Sequence, residues 1–159
     1  MKRIVIFGLG SELYGMDIYE LQEIIRMVEI TRIPKAPSFI EGVINLRGKV
    51  IPIIDLKKKF GIVGDENSSE RRIIVANIGE QKAGLIVDHV SEVTTVRDED
   101  IEQPPAVLGL ESRFISGLAK LGERIVILLK ADEILNAMEK KELKNLSEEE
   151  TNDEASQNI

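Results

Sequence analysis

An internal repeat constrains the fold of this chain more than any other feature of its sequence. When the sequence is shifted by 69 positions, apolar residues, glycines and one glutamate fall on residues of the same type in a single register. A constant register over some twenty positions indicates two structurally similar halves. The matched positions are Val5-Ile6 with Ile74-Val75, Gly10 with Gly79, Gly15 with Gly84, Leu21 with Val90, Glu23 with Glu92, and Ile24 with Val93.

A second part of the repeat surrounds two tight turns. With a shift of 74, Gly48 falls on Gly122, Ile51 on Ile125 and Ile53 on Ile127. Each turn lies between apolar runs, which is typical of a β-hairpin. An acid that could cap a short helix follows each hairpin, Asp55 in the first half and Asp132 in the second.

Short strands with frequent turn signals favour a mainly β fold made of two small barrels with a few short helices. Because a half of about 65 residues is marginal alone, we expect the barrels to pack on a shared hydrophobic seam. The predicted domain spans residues 1–138, with the first barrel at about 1–68 and the second at about 69–138. Within the first half, the spacing of the apolar residues after Asp17 predicts a helix from Ile18 to about Arg26.

The end of the chain differs in composition from the rest. Residues 139–159 form a polar acidic tail with seven acids and three lysines, so they account for −4 of the formal charge of −7. We expect this tail to be largely disordered because it has few apolar residues to bury. The remaining body is only mildly acidic, which argues against binding to a nucleic-acid backbone.

The sequence also indicates where the protein works. It has no cysteine, which fits a reducing compartment, and its N-terminus lacks the apolar core of a signal peptide. No apolar run approaches the roughly 20 residues that cross a bilayer. We therefore expect a cytoplasmic protein that does not insert directly into the membrane.

Catalytic and cofactor motifs are missing from the sequence. His89 is the single histidine, so a His-based metal triad cannot form within one chain, and a surface or structural role is the simpler interpretation for it. Gly8-Leu9-Gly10 lacks the third glycine of a nucleotide fingerprint, since Leu13 occupies that position. We predict no enzyme activity, no cofactor and no metal site.

Two sets of residues are candidates for contact with a partner protein. Arg47 follows Asn45 at the tip of the first hairpin, where a guanidinium can bind a carboxylate of another protein. An ordinary solvated turn is the alternative. The repeat-related pairs Leu21/Val90 and Ile24/Val93 either pack in the core or border an apolar groove for a partner helix.

Several longer runs are similar to those of a known family. They are LYGMDI (13–18), ITRIP (30–34), FIEGVINLRGKVIPIIDL (39–56), GLIVD (84–88) and VSEV (90–93). Together they resemble the CheW family of chemotaxis coupling proteins over about Ile4 to Met138. Met16, where the family usually has isoleucine, is a minor departure.

The resemblance implies two five-stranded barrels similar to SH3 domains and a non-enzymatic adaptor role. Such an adaptor binds the regulatory domain of a chemotaxis histidine kinase and the cytoplasmic tip of a methyl-accepting chemoreceptor, and it is recruited to receptor arrays at the membrane. Carried over residue by residue, the predicted partner contacts are Leu21, Glu23, Gly42, Asn45, Arg47, Val90 and Val93.

Two other classes of function have less support in the sequence. A hydrolytic or small-molecule-binding barrel needs convergent polar groups in a pocket, and the sequence supplies no histidine, cysteine or metal cluster for one. A nucleic-acid binder needs exposed rings on a basic surface, whereas this acidic chain has only six aromatic residues.

Overall fold

A computed structural model describes residues 1–64, 68–105 and 113–146. They form a mainly β protein with two sheets and short helices, as predicted. The strands are β1 (Lys2–Leu9), β2 (Glu12–Asp17), β3 (Leu21–Arg26), β4 (Ile40–Leu46), β5 (Lys49–Asp55), β6 (Arg72–Ile78), β7 (Gln81–Val87), β8 (His89–Val96), β9 (Ile101–Glu102), β10 (Ile115–Leu121) and β11 (Arg124–Leu129). The helices are α1 (Leu56–Phe60) and α2 (137–146), with 3₁₀ turns at Ile18–Glu20, Asp98–Asp100 and Ala131–Glu133.

The two sheets exchange strands between the halves of the sequence. Sheet A has the order β8-β1-β2-β11-β10-β9, and sheet B has the order β3-β6-β7-β5-β4. Equivalent strands of the repeat therefore occupy equivalent places, but each sheet takes its central hairpin from one half and its outer strands from the other. Within each sheet, parallel pairing joins the strands of one half to those of the other. The parallel pairs are β2 with β11 in sheet A and β5 with β7 in sheet B. The expected division of the strands at about residue 68 thus does not coincide with the division into sheets.

The central strands are buried on both faces. On β6, Ile73 and Val75 face a cluster inside sheet B, whereas Ile74 and Ala76 face a cluster that both sheets share. On β1, Ile4 and Ile6 likewise face the interior of sheet A. This arrangement explains the continuous apolar runs, because a strand covered on both faces does not alternate. The shared cluster confirms the predicted hydrophobic seam.

The hairpin β4–β5 and the helix after it are as predicted. The Asp55 carboxylate accepts hydrogen bonds from the backbone amides of Lys57 (3.0 Å) and Lys58 (3.3 Å), and Gly61 ends α1 with a φ of 70°. Burial raises the pKa of Asp55, and the nearby Glu41 adds to that rise. An N-cap therefore sets the start of α1 even though its carboxylate is buried.

The predicted helix at 18–26 is wrong. Asp17 does accept a hydrogen bond from the Tyr19 amide (3.0 Å), but only one 3₁₀ turn follows. From Leu21 the chain is strand β3, in which half-buried and exposed residues alternate and Ile24 pairs with Ile74. Pairing with β6 overrides the helical spacing, since β-branched residues fit a sheet well.

The second hairpin is one residue out of the expected register. Leu46 pairs with Lys49 across the first turn and Leu121 with Arg124 across the second, which gives a shift of 75. Ile51 (4% exposed) therefore matches Val126 (0%), whereas Ile125 is 58% exposed. A slip of one residue moves every side chain to the other face of a strand, so the shift of 74 is wrong.

Asp132 also has a different role from the one expected. Lys130 holds the N-cap position of the 3₁₀ turn Ala131–Glu133 and forms no side-chain cap. The Asp132 carboxylate instead accepts a hydrogen bond from the Gly79 amide (2.8 Å).

The first part of the predicted disordered tail is the ordered helix α2. Asn136 and Glu139 cap it reciprocally, each side chain accepting from the other's amide at 2.8 and 2.9 Å. Leu143 is 1% exposed in the shared core, and Glu139 pairs with Lys59 at 2.7 Å. These contacts explain why 139–146 are helical; residues 147–159 lie outside the described part of the chain. Separately, the described residues include no helix with the length and hydrophobicity needed to cross a bilayer.

Replacing Leu143 with alanine should lower the free energy of unfolding by about 2 kcal/mol, because it leaves a cavity in the shared core. Urea denaturation followed by circular dichroism measures this change. Met138→Ala is the matched control, since Met138 lies on the same helix but is 73% exposed. Equal stability of the two variants would contradict the packing of α2 on the core.

Candidate partner-binding surface

The tip of hairpin β4–β5 is a tight turn held by Asn45. The Asn45 Oδ1 atom accepts a hydrogen bond from the Gly48 amide at 2.9 Å. Arg47 (φ 52°) and Gly48 (φ 86°) both lie in the left-handed region, as in a two-residue type I′ hairpin. Asn45 is thus committed to the turn through its oxygen, and the Arg47 side chain projects from the tip with 65% exposure.

Arg47 forms an ion pair with Glu23. Its Nη2 lies 2.7 Å from Glu23 Oε2, and this hydrogen bond raises the pKa of Arg47. Oε1 of Glu23 is buried and has no hydrogen-bond partner among the described residues. Since β3 and β4 are the two edges of sheet B, the ion pair connects the hairpin tip to the opposite edge of its own sheet.

Gly42 lies on strand β4 of this hairpin, where the strand packs closely against the backbone of Thr31. It is buried at a register shift in β4, with a φ of 147°. Next to it, Thr31 and Val43 exchange two backbone hydrogen bonds of 2.9 Å. A Cβ on Gly42 would lie 2.1 Å from the Thr31 carbonyl oxygen, so the close backbone approach requires glycine.

The apolar candidates divide into two environments. Leu21 and Val90 are partly buried against the shared core, which favours the core-packing interpretation for them. Val93 is 46% exposed, and its repeat equivalent Ile24 is 36% exposed. The equivalent edge strands β3 and β8 therefore each present one exposed aliphatic side chain.

A second ion pair lies in sheet A. Glu92 on β8 pairs with Arg124 on β11 at 3.1 Å, with side chains 43% and 52% exposed. Glu92 is the repeat equivalent of Glu23, so each sheet joins a glutamate of its edge strand to an arginine at a hairpin. Sequence reasoning missed Arg124, although the alignment of Glu23 with Glu92 was a signal for it.

The candidate surface offers both polar and apolar groups for contact with another protein. It combines charged guanidinium groups, carboxylates and exposed aliphatic side chains on strands.

The single histidine has a packing role. His89 packs over Gly8, and a Cβ added to Gly8 would lie 2.1 Å from the imidazole ring. Among residues 1–64, 68–105 and 113–146, no three histidine, aspartate or glutamate side chains are grouped as metal ligands.

Comparison with known proteins decides the family. The sequence profile of the CheW-like domain matches residues 3–139. The chain belongs to the CheW-like family. It is 42% identical over 142 residues to the chemotaxis protein CheW of Klebsiella aerogenes, covering 87% of this chain and 84% of that protein. The CheW protein of Treponema pallidum is 35% identical over 151 residues, which cover 91% and 88% of the two chains.

A solved CheW structure has the same fold. The crystal structure of the scaffolding protein TtCheW from Thermoanaerobacter tengcongensis superposes with a TM-score of 0.80 and 48% sequence identity. The superposition covers 86% of this chain and 93% of that protein. Both ion pairs and all seven candidate contacts lie in the part of this chain that matches the CheW-like profile.

Proposed function

We propose that this protein is a chemotaxis adaptor that couples chemoreceptors to the regulatory domain of a histidine kinase. The observation that carries the proposal is its likeness, over almost its whole length, to a CheW scaffolding protein. It acts by binding two partners at once and catalyses no reaction itself. It works in the cytoplasm and is recruited to receptor arrays at the membrane.

The hairpin tip supplies the polar contact in this proposal. Glu23 accepts a hydrogen bond from Arg47 Nη2, which restricts the orientations of the guanidinium before any partner binds. Such preorganisation lowers the entropy that a side chain loses on binding. The remaining donors of the guanidinium can then bind a carboxylate or a carbonyl of the partner. Asn45 and Gly42 contribute by holding the turn and the strand below it.

The edge strands supply the apolar contacts. Val93 offers exposed area on β8, while Leu21 and Val90 border the seam between the two sheets. An amphipathic helix such as a receptor tip can bury its apolar face in such a place. Because both sheets present a similar edge, the protein has two related surfaces for two partners.

Arg47→Glu should weaken binding to the kinase regulatory domain at least tenfold, because it removes a charged donor and places a carboxylate beside Glu23. Isothermal titration calorimetry with the purified domain from the same organism measures this loss. The cytoplasmic tip fragment of a chemoreceptor is titrated in parallel.

The exchanged double variant Glu23→Arg/Arg47→Glu is the matched control. It restores an internal ion pair in the opposite sense, and so it recovers binding only if Arg47 acts through Glu23 alone. Failure of the double variant to bind assigns a direct contact to Arg47 or to Glu23, since both are proposed contacts. If the unmodified protein binds neither the kinase domain nor the receptor tip, the adaptor function is wrong.

A further inference from the structure

Two arginines lie directly opposite each other where β3 ends and β6 begins. Arg26 pairs with Arg72 in the antiparallel ladder of sheet B. Side chains of directly paired residues extend from the same face of a sheet, and two like charges in that position destabilise the pairing. A negative charge beside this pair would offset that repulsion.

Arg71 adds a third positive charge at the same end of the sheet. Its Nε atom is buried and has no hydrogen-bond partner among the described residues. Buried donors are almost always satisfied, because leaving one unpaired costs its full desolvation energy. This orphaned N–H group is an observation independent of the Arg26–Arg72 pair, and it also indicates a missing acceptor.

The neighbouring backbone holds Arg72 in place. Its Nη1 atom donates to the carbonyl oxygens of Ser69 (3.2 Å) and Arg71 (2.8 Å). One edge of the guanidinium is therefore occupied, and the group is fixed beside the turn that precedes β6.

The three arginines line one cavity of about 430 Å³ together with Met27, Ser68 and Ser69. No carboxylate lines this cavity, and none within the described residues lies in ion-pair distance of Arg26, Arg71 or Arg72. Glu29 and Glu41 line an adjacent cavity that also includes Arg71, but Glu41 is paired with Lys58. Neither carboxylate is within ion-pair distance of the three arginines.

We propose that this cavity binds a phosphate-class oxyanion. A tetrahedral dianion brings enough charge and enough acceptor atoms for several guanidinium groups, which suit phosphate geometry better than lysines do. It would accept from Arg71 Nε–H and offset the repulsion between Arg26 and Arg72. The ligand is either a free phosphate ion or the phosphoryl group of a modified residue on a partner protein, since both present the same oxygens.

The test uses the full-length protein and inorganic phosphate at constant ionic strength, with sodium chloride as the balancing salt. The arginine Nε–Hε resonances are followed by ¹H–¹⁵N NMR, and affinity is measured by calorimetry. We expect a saturable shift of the Arg71 signal. Arg26→Gln and Arg71→Gln should each lower the affinity about tenfold, as expected for the loss of one charge-assisted hydrogen bond.

Arg3→Gln is the matched control, because it removes the same charge from an exposed position on β1 outside the cavity. It should bind phosphate as the unmodified protein does. Because Arg26 is also exposed, its variant is expected to fold, and circular dichroism verifies this.

A second titration with phosphoserine blocked at both ends distinguishes the two sources of the ligand. Tighter binding of blocked phosphoserine supports a modified residue of a partner, and tighter binding of phosphate supports the free ion. The proposal is overturned if neither ligand gives a saturable shift, or if all three variants bind phosphate equally well.

Discussion

Gly42→Ala is expected to lower the free energy of unfolding by about 4 kcal/mol, the sum of backbone strain and overpacking. The new Cβ would lie 2.1 Å from the Thr31 carbonyl oxygen and 2.8 Å from its carbonyl carbon. These atoms belong to backbone that exchanges hydrogen bonds with Val43, so they cannot move away as a flexible side chain could. Chemical denaturation followed by circular dichroism measures the loss.

Gly48→Ala separates the steric clash from the cost of the backbone angle. Gly48 also has a positive φ (86°), but nothing lies within 4 Å of the position of an added Cβ. Its replacement should cost only about 1–2 kcal/mol, the usual penalty for a left-handed residue with a side chain. Equal losses in the two variants would refute the close contact between Gly42 and Thr31.

Asp88→Ala is expected to lower the free energy of unfolding by about 3–5 kcal/mol, because it removes one partner of a buried ion pair. Lys57 on α1 is only 5% exposed in its side chain, and its Nζ lies 2.7 Å from Asp88 Oδ1. The other carboxylate oxygen accepts a hydrogen bond from the Gly10 amide at 2.8 Å. Asp88 therefore connects α1, the β1–β2 turn and the end of β7, and its loss removes one acceptor from Lys57 and one from the Gly10 amide.

The double variant Lys57→Met/Asp88→Asn tests this explanation. It removes both charges but keeps an oxygen that can accept from Gly10, so its stability should return to within about 1 kcal/mol of the unmodified protein. Asp98→Ala is the control for loss of an exposed acid, since Asp98 is 80% exposed and, among the described residues, pairs only with the N-terminus. It should change stability by less than about 1 kcal/mol. A double variant as unstable as Asp88→Ala would contradict the broken Lys57–Asp88 ion pair as the cause.

The seven proposed contacts were chosen from the sequence, and the structure gives them different physical roles. Arg47 and Glu23 form one ion pair, Asn45 holds their turn, and Gly42 allows a close backbone approach. The Asn45 turn belongs to a long, specific motif, residues 39–56, and its chemistry is local, whereas Glu23 and Thr31 lie outside that motif. Their use as partner contacts stays a prediction.

Residues that act across the exchanged sheets were harder to find. Arg124 meets Glu92 only because β11 and β8 belong to the same sheet, and Lys57 meets Asp88 from the other half of the chain. The arginines of the proposed anion cavity converge because β3 pairs with β6. Spacing along the chain carries no information about such pairs, since the partners are up to 46 positions apart.

By itself, the sequence determined the repeat, the mainly β class, the hairpin turn at Arg47-Gly48 and the Asp55 cap, because each depends on residue type and short-range geometry. Only the tertiary structure decided that 21–26 is a strand, that the second hairpin follows a shift of 75, and that 139–146 is a packed helix. It also decided which strands of the first half pair with which strands of the second half. The two copies offer equivalent strand edges, and a preference between equivalent edges arises only when the whole chain packs around its shared core.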